Sequence, residues 1–207
     1  IDNLNDMMGE LGLSKRISRK LRIFFYNTRQ LSRLSKYREL MDQLSPSLQA
    51  ELFYKLNSVF LMQVPYFRDV ERKVLANVCQ KMRDRVLAQG EVFVDIQNLY
   101  ILKRGLILID GRVFTSGTYW GEDVILDDAD LLRFYRGAAL TYAECAQLLK
   151  QDLAECLRRF QPADRLKFRR HTVRLAAMRG VINEARRISQ AEKNARAGPV
   201  AGIPNLP

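Results

Sequence analysis

The chain reads as an α+β protein: a run of short helices, a β-roll of short strands, then helices again, the last one long. Three observations predict this. Apolar residues recur at helical spacing from Asp2 to about Met82. From Arg85 to Tyr142 the period shortens to alternation punctuated by glycine at close intervals, which suits a β-roll or jelly roll. After Tyr142 the helical period returns, and beyond Pro162 it runs to about Gln190.

Taken in order, Leu4, Met7, Met8 and Leu11 lie on one helical side, and Gly9 and Gly12 weaken the end of that segment. Ser14 is placed to cap a second helix, to about Leu34, with Ile17, Leu21, Phe24, Phe25 and Leu31 on one side. The intervening Lys15, Arg16, Arg19, Lys20 and Arg22 read as a solvated face. Tyr37 to Leu44 forms a third, short amphipathic segment. Ser45-Pro46 opens the next helix, because proline at the first helical position loses no intrahelical hydrogen bond. Through Leu61 that helix sets Leu48, Leu52, Phe53, Leu56, Val59 and Phe60 on its expected buried side. Val64-Pro65-Tyr66-Phe67 breaks it, and another helix covers about Val70 to Met82.

In the β region, Val86 to Val94 alternates around a glycine turn, and Leu99–Leu102 and Leu106–Ile109 are short β runs. Asp110-Gly111 is a two-residue hairpin signal, followed by Val113-Phe114 and Tyr119-Trp120. After Tyr142, Cys145, Leu148, Leu149, Leu153, Cys156, Leu157 and Phe160 read as helical, and Pro162 marks a corner. In the long helix, Leu166, Val173, Ala177, Val181 and Ile188 form a near-heptad stripe expected to pack on the roll. Residues 191–207 turn to small residues, glycine and proline, and read as a disordered tail.

Composition narrows the function. No run of eighteen apolar residues exists, so no bilayer-spanning segment is expected, and the first ten residues lack the pattern of a signal peptide. Three scattered cysteines and one histidine offer neither a disulfide framework nor a metal site, and a buried, inert role is expected for Cys79, Cys145 and Cys156. No nucleophile elbow or Walker loop is present, so an enzyme is not expected. The net charge of +11 is concentrated towards both ends, which suits nucleic acid, anionic lipid or an acidic protein surface without choosing among them.

The stretch with most chemistry is Gly117 to Tyr142. Gly121 would let backbone N–H groups approach an anion closely, and a helical turn starting there would aim its dipole at it. Arg133, returning from the far side of the loop, would neutralise the same anion. Glu122 cannot favour a phosphate but can accept from a sugar hydroxyl. Together these suit a phosphorylated sugar; a β-turn and a loop of solvated charges account for the same residues equally well.

Tyr119-Trp120-Gly121-Glu122 with Val124-Ile125-Leu126 resembles the Y-F-G-E-x-x-L-L opening of the phosphate-binding cassette in cyclic-nucleotide-binding domains. Arg133 stands nine residues before Tyr142, the spacing between that family's phosphate arginine and the tyrosine of its A-x-T-Y strand, here Ala139 to Tyr142. Where the family has Thr-Ala after the arginine, this chain has Phe134-Tyr135, and its loop carries Asp127, Asp128 and Asp130. Leu40 to Phe67 is similar to the C-linker of cyclic-nucleotide-gated and hyperpolarisation-activated channels, including the V-P-x-F corner, and Leu21 to Tyr26 is similar to the R-x-x-x-Y-Y helix upstream.

The resemblance to the cyclic-nucleotide-gated, hyperpolarisation-activated and ether-à-go-go channels implies a helical C-linker at 1–68 and a cyclic-nucleotide-binding-like domain at 69–190. In it the roll covers about 85–142 and helices about 144–190. It further implies the gating module of a tetrameric cation channel, at the cytoplasmic face of a membrane, assembled through the C-linker and joined to the pore of the same chain. The implied ligand is cAMP or cGMP, with the phosphate held by the amides of Gly121 to Asp123 and by Arg133. Glu122 takes the ribose, and Met178, Arg179 or Ile182 lies over the base. Neither cofactor nor metal is implied, anionic inner-leaflet lipid is a further partner, and nucleic acid is not expected. The alternatives are a ligand-independent homology domain of such a channel and a basic nucleic-acid-binding regulator.

Overall fold

Local caps decide where the first helices begin. The computed structural model describes residues 2–68 and 70–196. Helix α1 (Asp2–Glu10) stops just before Gly12, which adopts a left-handed φ of 57°. Ser14 caps α2 (Lys15–Asp42), its hydroxyl accepting from the Ile17 N–H. This is one helix of 28 residues, where the sequence predicts a break near residues 35–36. Serine there lowers helix propensity slightly and lysine favours helix, and neither removes a hydrogen bond, so nothing stops propagation. Helix α3 (Pro46–Leu61) starts at the expected Ser45-Pro46 pair, and a 3-10 turn (Pro65–Phe67) leads to α4 (Arg72–Lys81).

Among the described residues eight strands follow: β1 (Arg83–Leu87), β2 (Val92–Asp95), β3 (Asn98–Arg104), β4 (Ile107–Ile109), β5 (Arg112–Phe114), β6 (Tyr119–Trp120), β7 (Tyr135–Ala139) and β8 (Ala143–Leu149). They form two four-stranded sheets, ordered β1-β8-β3-β6 and β2-β7-β4-β5, with antiparallel pairing throughout. The arrangement is α+β and compatible with a β-roll. The Asp110-Gly111 turn joins β4 to β5 with positive φ at both residues, 47° and 79°, the geometry that suits strand twist.

Strand β8 corrects the sequence reading. The sheets extend to Leu149 rather than ending near Tyr142, and of Ala139 to Tyr142, expected as a strand, Ala139 ends β7 while Leu140 to Tyr142 form the corner to β8. Ala143 to Leu149 is rich in helix formers, yet it lies between β1 and β3 and hydrogen-bonds to both, so sheet context outweighs propensity.

Side chains from both sheets fill the space between them. Trp120 stacks on Tyr100 at 5.1 Å between centroids, with Phe93 and Phe114 at 5.8 and 6.2 Å. At one end Arg85, Asp95, Tyr100 and Gln147 form a hydrogen-bonded clamp. Cys145 lies in this core, and Cys79 and Cys156 lie in the neighbouring one. Burial pushes the Cys79 and Cys145 thiols up to about 12, so they are protonated and unreactive at neutral pH.

The neighbouring core joins the helices to the outer face of the β1-β8-β3-β6 sheet, through Leu61, Phe67, Val78, Leu99, Leu148 and Leu153 among others. Within it Asn57 of α3 donates to the Cys79 carbonyl and accepts from Lys103 of β3. Helix α3 buries Phe53, Asn57, Ser58 and Leu61, whereas Leu48, Leu56 and Val59, expected to be buried, are 54%, 42% and 62% exposed. Ile17 and Phe25 of α2 are likewise exposed and Leu21 and Phe24 half-buried; the Leu31 side chain lies outside the described residues.

Helix α5 (Lys150–Arg158) leads to α6 (Pro162–Arg196). Helix α6 packs through Asp164, Phe168, Leu175 and Arg179, and Phe168 contacts the rings of Tyr66, Phe67 and Phe160. The stripe of Leu166, Val173, Ala177, Val181 and Ile188 is exposed, not packed on the sheets. Leu166, Val173, Ala177 and Val181 stand two positions from buried or half-buried residues, about 200° around a helix of 3.6 residues per turn, and therefore face away. Of the expected disordered tail, residues 191–196 are helical, and 197–207 lie outside the described residues.

Candidate ligand-binding site

Gly121 sets the site's backbone. It is in the left-handed region at φ 78° and starts a 3-10 turn (Glu122–Ile125). A Cβ there would run into the carbonyl oxygen of Asn98, so this strand-to-turn junction admits glycine alone. The turn aims Glu122 at α6 and buries Asp123.

Glu122 and Arg179, expected on different parts of a ligand, are paired with each other. The Arg179 guanidinium lies 2.8 Å from Glu122 Oε1 and donates to the Tyr135 hydroxyl at 3.1 Å. Tyr135 in turn donates to Glu122 Oε2 at 3.0 Å. Arg179 is only 8% exposed, so this triangle is largely shielded from solvent. It holds the middle of α6 against the cassette, and Asn183 adds a bond to the Asp130 carbonyl one turn further on.

Asp123 is fully buried; its Oδ2 accepts from the Arg133 N–H at 2.6 Å, while Oδ1 has no partner among the described residues. The Arg133 guanidinium turns from the cassette amides to Asp110 of the β4–β5 hairpin, 2.6 Å away, and lies over the Tyr135 ring at 5.5 Å. Asp123 and Arg133 thus meet through a side chain and a backbone group, not through opposed charges. The Arg133 charge, expected to meet an anion at the Gly121 to Asp123 amides, is engaged here by Asp110.

Beside the triangle a cavity of about 310 Å³ lies between α6, the Pro65-Tyr66 corner and the cassette. Glu122 and Met178 line it; Gly121, Asp123, Arg133, Arg179 and Ile182 do not. Met178 and Ile182 are 49% and 37% exposed, on α6 beside Arg179.

The chain is similar to cyclic nucleotide-gated channels. It is 28% identical over 144 residues to cyclic nucleotide-gated channel alpha-2 of Bos taurus, covering 62% of this chain and 22% of that protein. With a cyclic nucleotide-gated channel of Caenorhabditis elegans the identity is 30% over 143 residues, 62% of this chain and 20% of the relative. The chain therefore spans about a fifth of the length of these relatives. No family model matches it.

Electrostatics follow the packing. Burial raises the Asp123 carboxyl above the ordinary carboxylate range; the Arg133 N–H opposes this and Glu122 reinforces it. Burial and then the Glu122 charge raise the Tyr135 phenol, which stays a hydrogen-bond donor at any physiological pH. Two site residues were not visible as such in the sequence. Tyr135 registers only as a departure from the family pattern, and Asp110 only as a turn residue. Their roles depend on contacts 13 and 23 residues away along the chain, which local pattern does not encode.

Proposed function

We propose that this chain is the regulatory, non-catalytic domain of a cyclic-nucleotide-gated-type cation channel, with residues 1–68 as a C-linker and the sheets and α6 as the sensor. The observation that carries this reading is the Glu122–Arg179 pair, which ties the helix expected as lid to the turn expected to hold the ligand. Movement at either end must be felt at the other. Similarity to two cyclic nucleotide-gated channels over 62% of the chain supports the channel class and a cyclic nucleotide as its ligand.

The geometry favours the self-latched form of this reading. Glu122 and Arg133, the expected ribose and phosphate partners, already hold Arg179 and Asp110. cAMP or cGMP must exchange both ion pairs to bind, so a lid docked without ligand is the ground state and nucleotide competes with it. The exposed apolar face of α3 (Leu48, Leu56, Val59) supports assembly through the helical segment, for which we propose the tetramer of such channels. Asn57 and Lys103, bridging α3 to β3, would carry lid motion towards a pore. No helix among the described residues is long and apolar enough to cross a membrane; the pore and the cytoplasmic membrane face belong to this proposal. Anionic lipid would be met by the basic faces, each Lys or Arg near the surface contributing about 1 kcal/mol.

Calorimetric titration with cAMP and with cGMP tests the reading. Arg179→Met, which frees Glu122, tightens binding about tenfold, within the usual range of a coupling energy, and Arg133→Glu abolishes it. Tight binding by the natural chain that Arg179→Met weakens would make Arg179 a ligand contact and end the self-latched reading.

A further inference from the structure

The cavity beside the latch is not used by anything above. Its volume of about 310 Å³ lies at the lower end of small-molecule sites, roughly 300–1,000 Å³. Ile125, Leu175 and Met178 give it apolar walls, and the rings of Tyr66, Tyr119 and His171 add flat aromatic ones. Tyr66 is 5% exposed, and its hydroxyl has no hydrogen-bond partner among the described residues, although a buried phenol ordinarily finds one. Arg174 lines the cavity from an exposed position on α6 and has no ion-pair partner among the described residues. The one carboxylate present, Glu122, has both oxygens engaged, by Arg179 and by Tyr135. The charge left uncompensated is therefore positive, at the rim, above an aromatic interior holding an unmatched donor.

We infer that this cavity is a second ligand site, for a planar aromatic carboxylate of about two rings carrying a hydrogen-bond acceptor in its ring. The ring lies against Tyr66 and Tyr119, the carboxylate meets Arg174, and the ring acceptor takes the Tyr66 hydroxyl. Such a ligand touches the Pro65-Tyr66 corner and α6 together, so its binding favours the docked lid. The inference shares Glu122 and Met178 with the proposed nucleotide site but does not rest on nucleotide binding.

Calorimetry on the whole chain with quinoline-6-carboxylate tests it, against 2-naphthoate, which lacks the ring nitrogen, and 6-quinolinemethanol, which lacks the charge. Quinoline-6-carboxylate binds saturably, and the uncharged analogue binds about tenfold more weakly. Arg174→Ala removes that difference, and Tyr66→Phe lowers quinoline-6-carboxylate to the affinity of 2-naphthoate. Met178→Trp, at a half-exposed position, fills the cavity and abolishes binding. Arg133→Glu leaves quinoline-6-carboxylate binding unchanged while altering nucleotide binding, so the two sites stand or fall separately. No saturable heat up to about 1 mM probe, or binding indifferent to both Arg174→Ala and Met178→Trp, overturns the inference.

Discussion

Arg179→Met is the sharpest perturbation of this molecule, because it removes one charge from a largely shielded triangle and keeps an unbranched stem in place of most of the aliphatic part of arginine. The guanidinium is within 2.8 Å of Glu122 and 3.1 Å of the Tyr135 hydroxyl, and the residue is 8% exposed. Breaking a fully buried pair costs about 3–5 kcal/mol, chiefly through the charge left behind. Here the Glu122 side chain is 30% exposed and keeps the Tyr135 donor, so it partly rehydrates, and the expected loss is about 2–3 kcal/mol. With a urea dependence near 2 kcal/mol per molar, the unfolding midpoint falls by about 1 M. Urea titration followed by circular dichroism and by the fluorescence of buried Trp120 reads this directly. Glu122→Gln completes a cycle: the double variant leaves no unpaired charge, so it recovers about 1–2 kcal/mol of the summed single losses. Because the pair is shielded, the loss changes little with salt. A loss below about 0.5 kcal/mol, or strict additivity in the cycle, would refute the claim that this pair holds α6 on the cassette.

Three further outcomes are expected. Burial raises the Asp123 carboxyl, so the folded state binds a proton more tightly than the unfolded chain, whose value is about 4; this contribution to stability is full below about pH 4 and is lost as pH rises through the folded value. The urea stability of the natural chain relative to Asp123→Asn therefore falls as pH rises above about 4, and a difference that rises instead contradicts the assignment. Gly121→Ala combines a left-handed φ, about 1–2 kcal/mol, with a backbone clash at Asn98 of about 1–3 kcal/mol, and a thermal scan showing less than about 1 kcal/mol loss would contradict this geometry. Leu56→Glu with Val59→Glu, both exposed, leaves the unfolding free energy within about 0.5 kcal/mol of the natural chain but lowers its self-association in sedimentation runs. Unchanged association would remove the α3 face from the proposed assembly.

Sequence alone determined the features that depend on neighbours along the chain. Ser14, Ser45-Pro46 and Pro162 mark helix starts because capping and proline geometry act within a few residues. Asp110-Gly111 marks its hairpin because positive φ is needed at both positions, and glycine-punctuated alternation marks the β region. These signals carry the α+β class, and the string around Gly121 singles out the turn on which the candidate site is built. Tertiary structure alone decided the rest. Ala143 to Leu149 becomes a strand because β1 and β3 flank it, against its own propensity. Leu48, Leu56, Val59 and the α6 stripe stay exposed because a helix buries only the side a neighbour covers, and periodicity does not say which apolar side that is. Arg179 reaches Glu122 across 57 residues of sequence, and Arg133 reaches Asp110 across 23. A side chain's charge is written in the sequence, but its partner is chosen by which surfaces the packing brings within about 3 Å and shields from water.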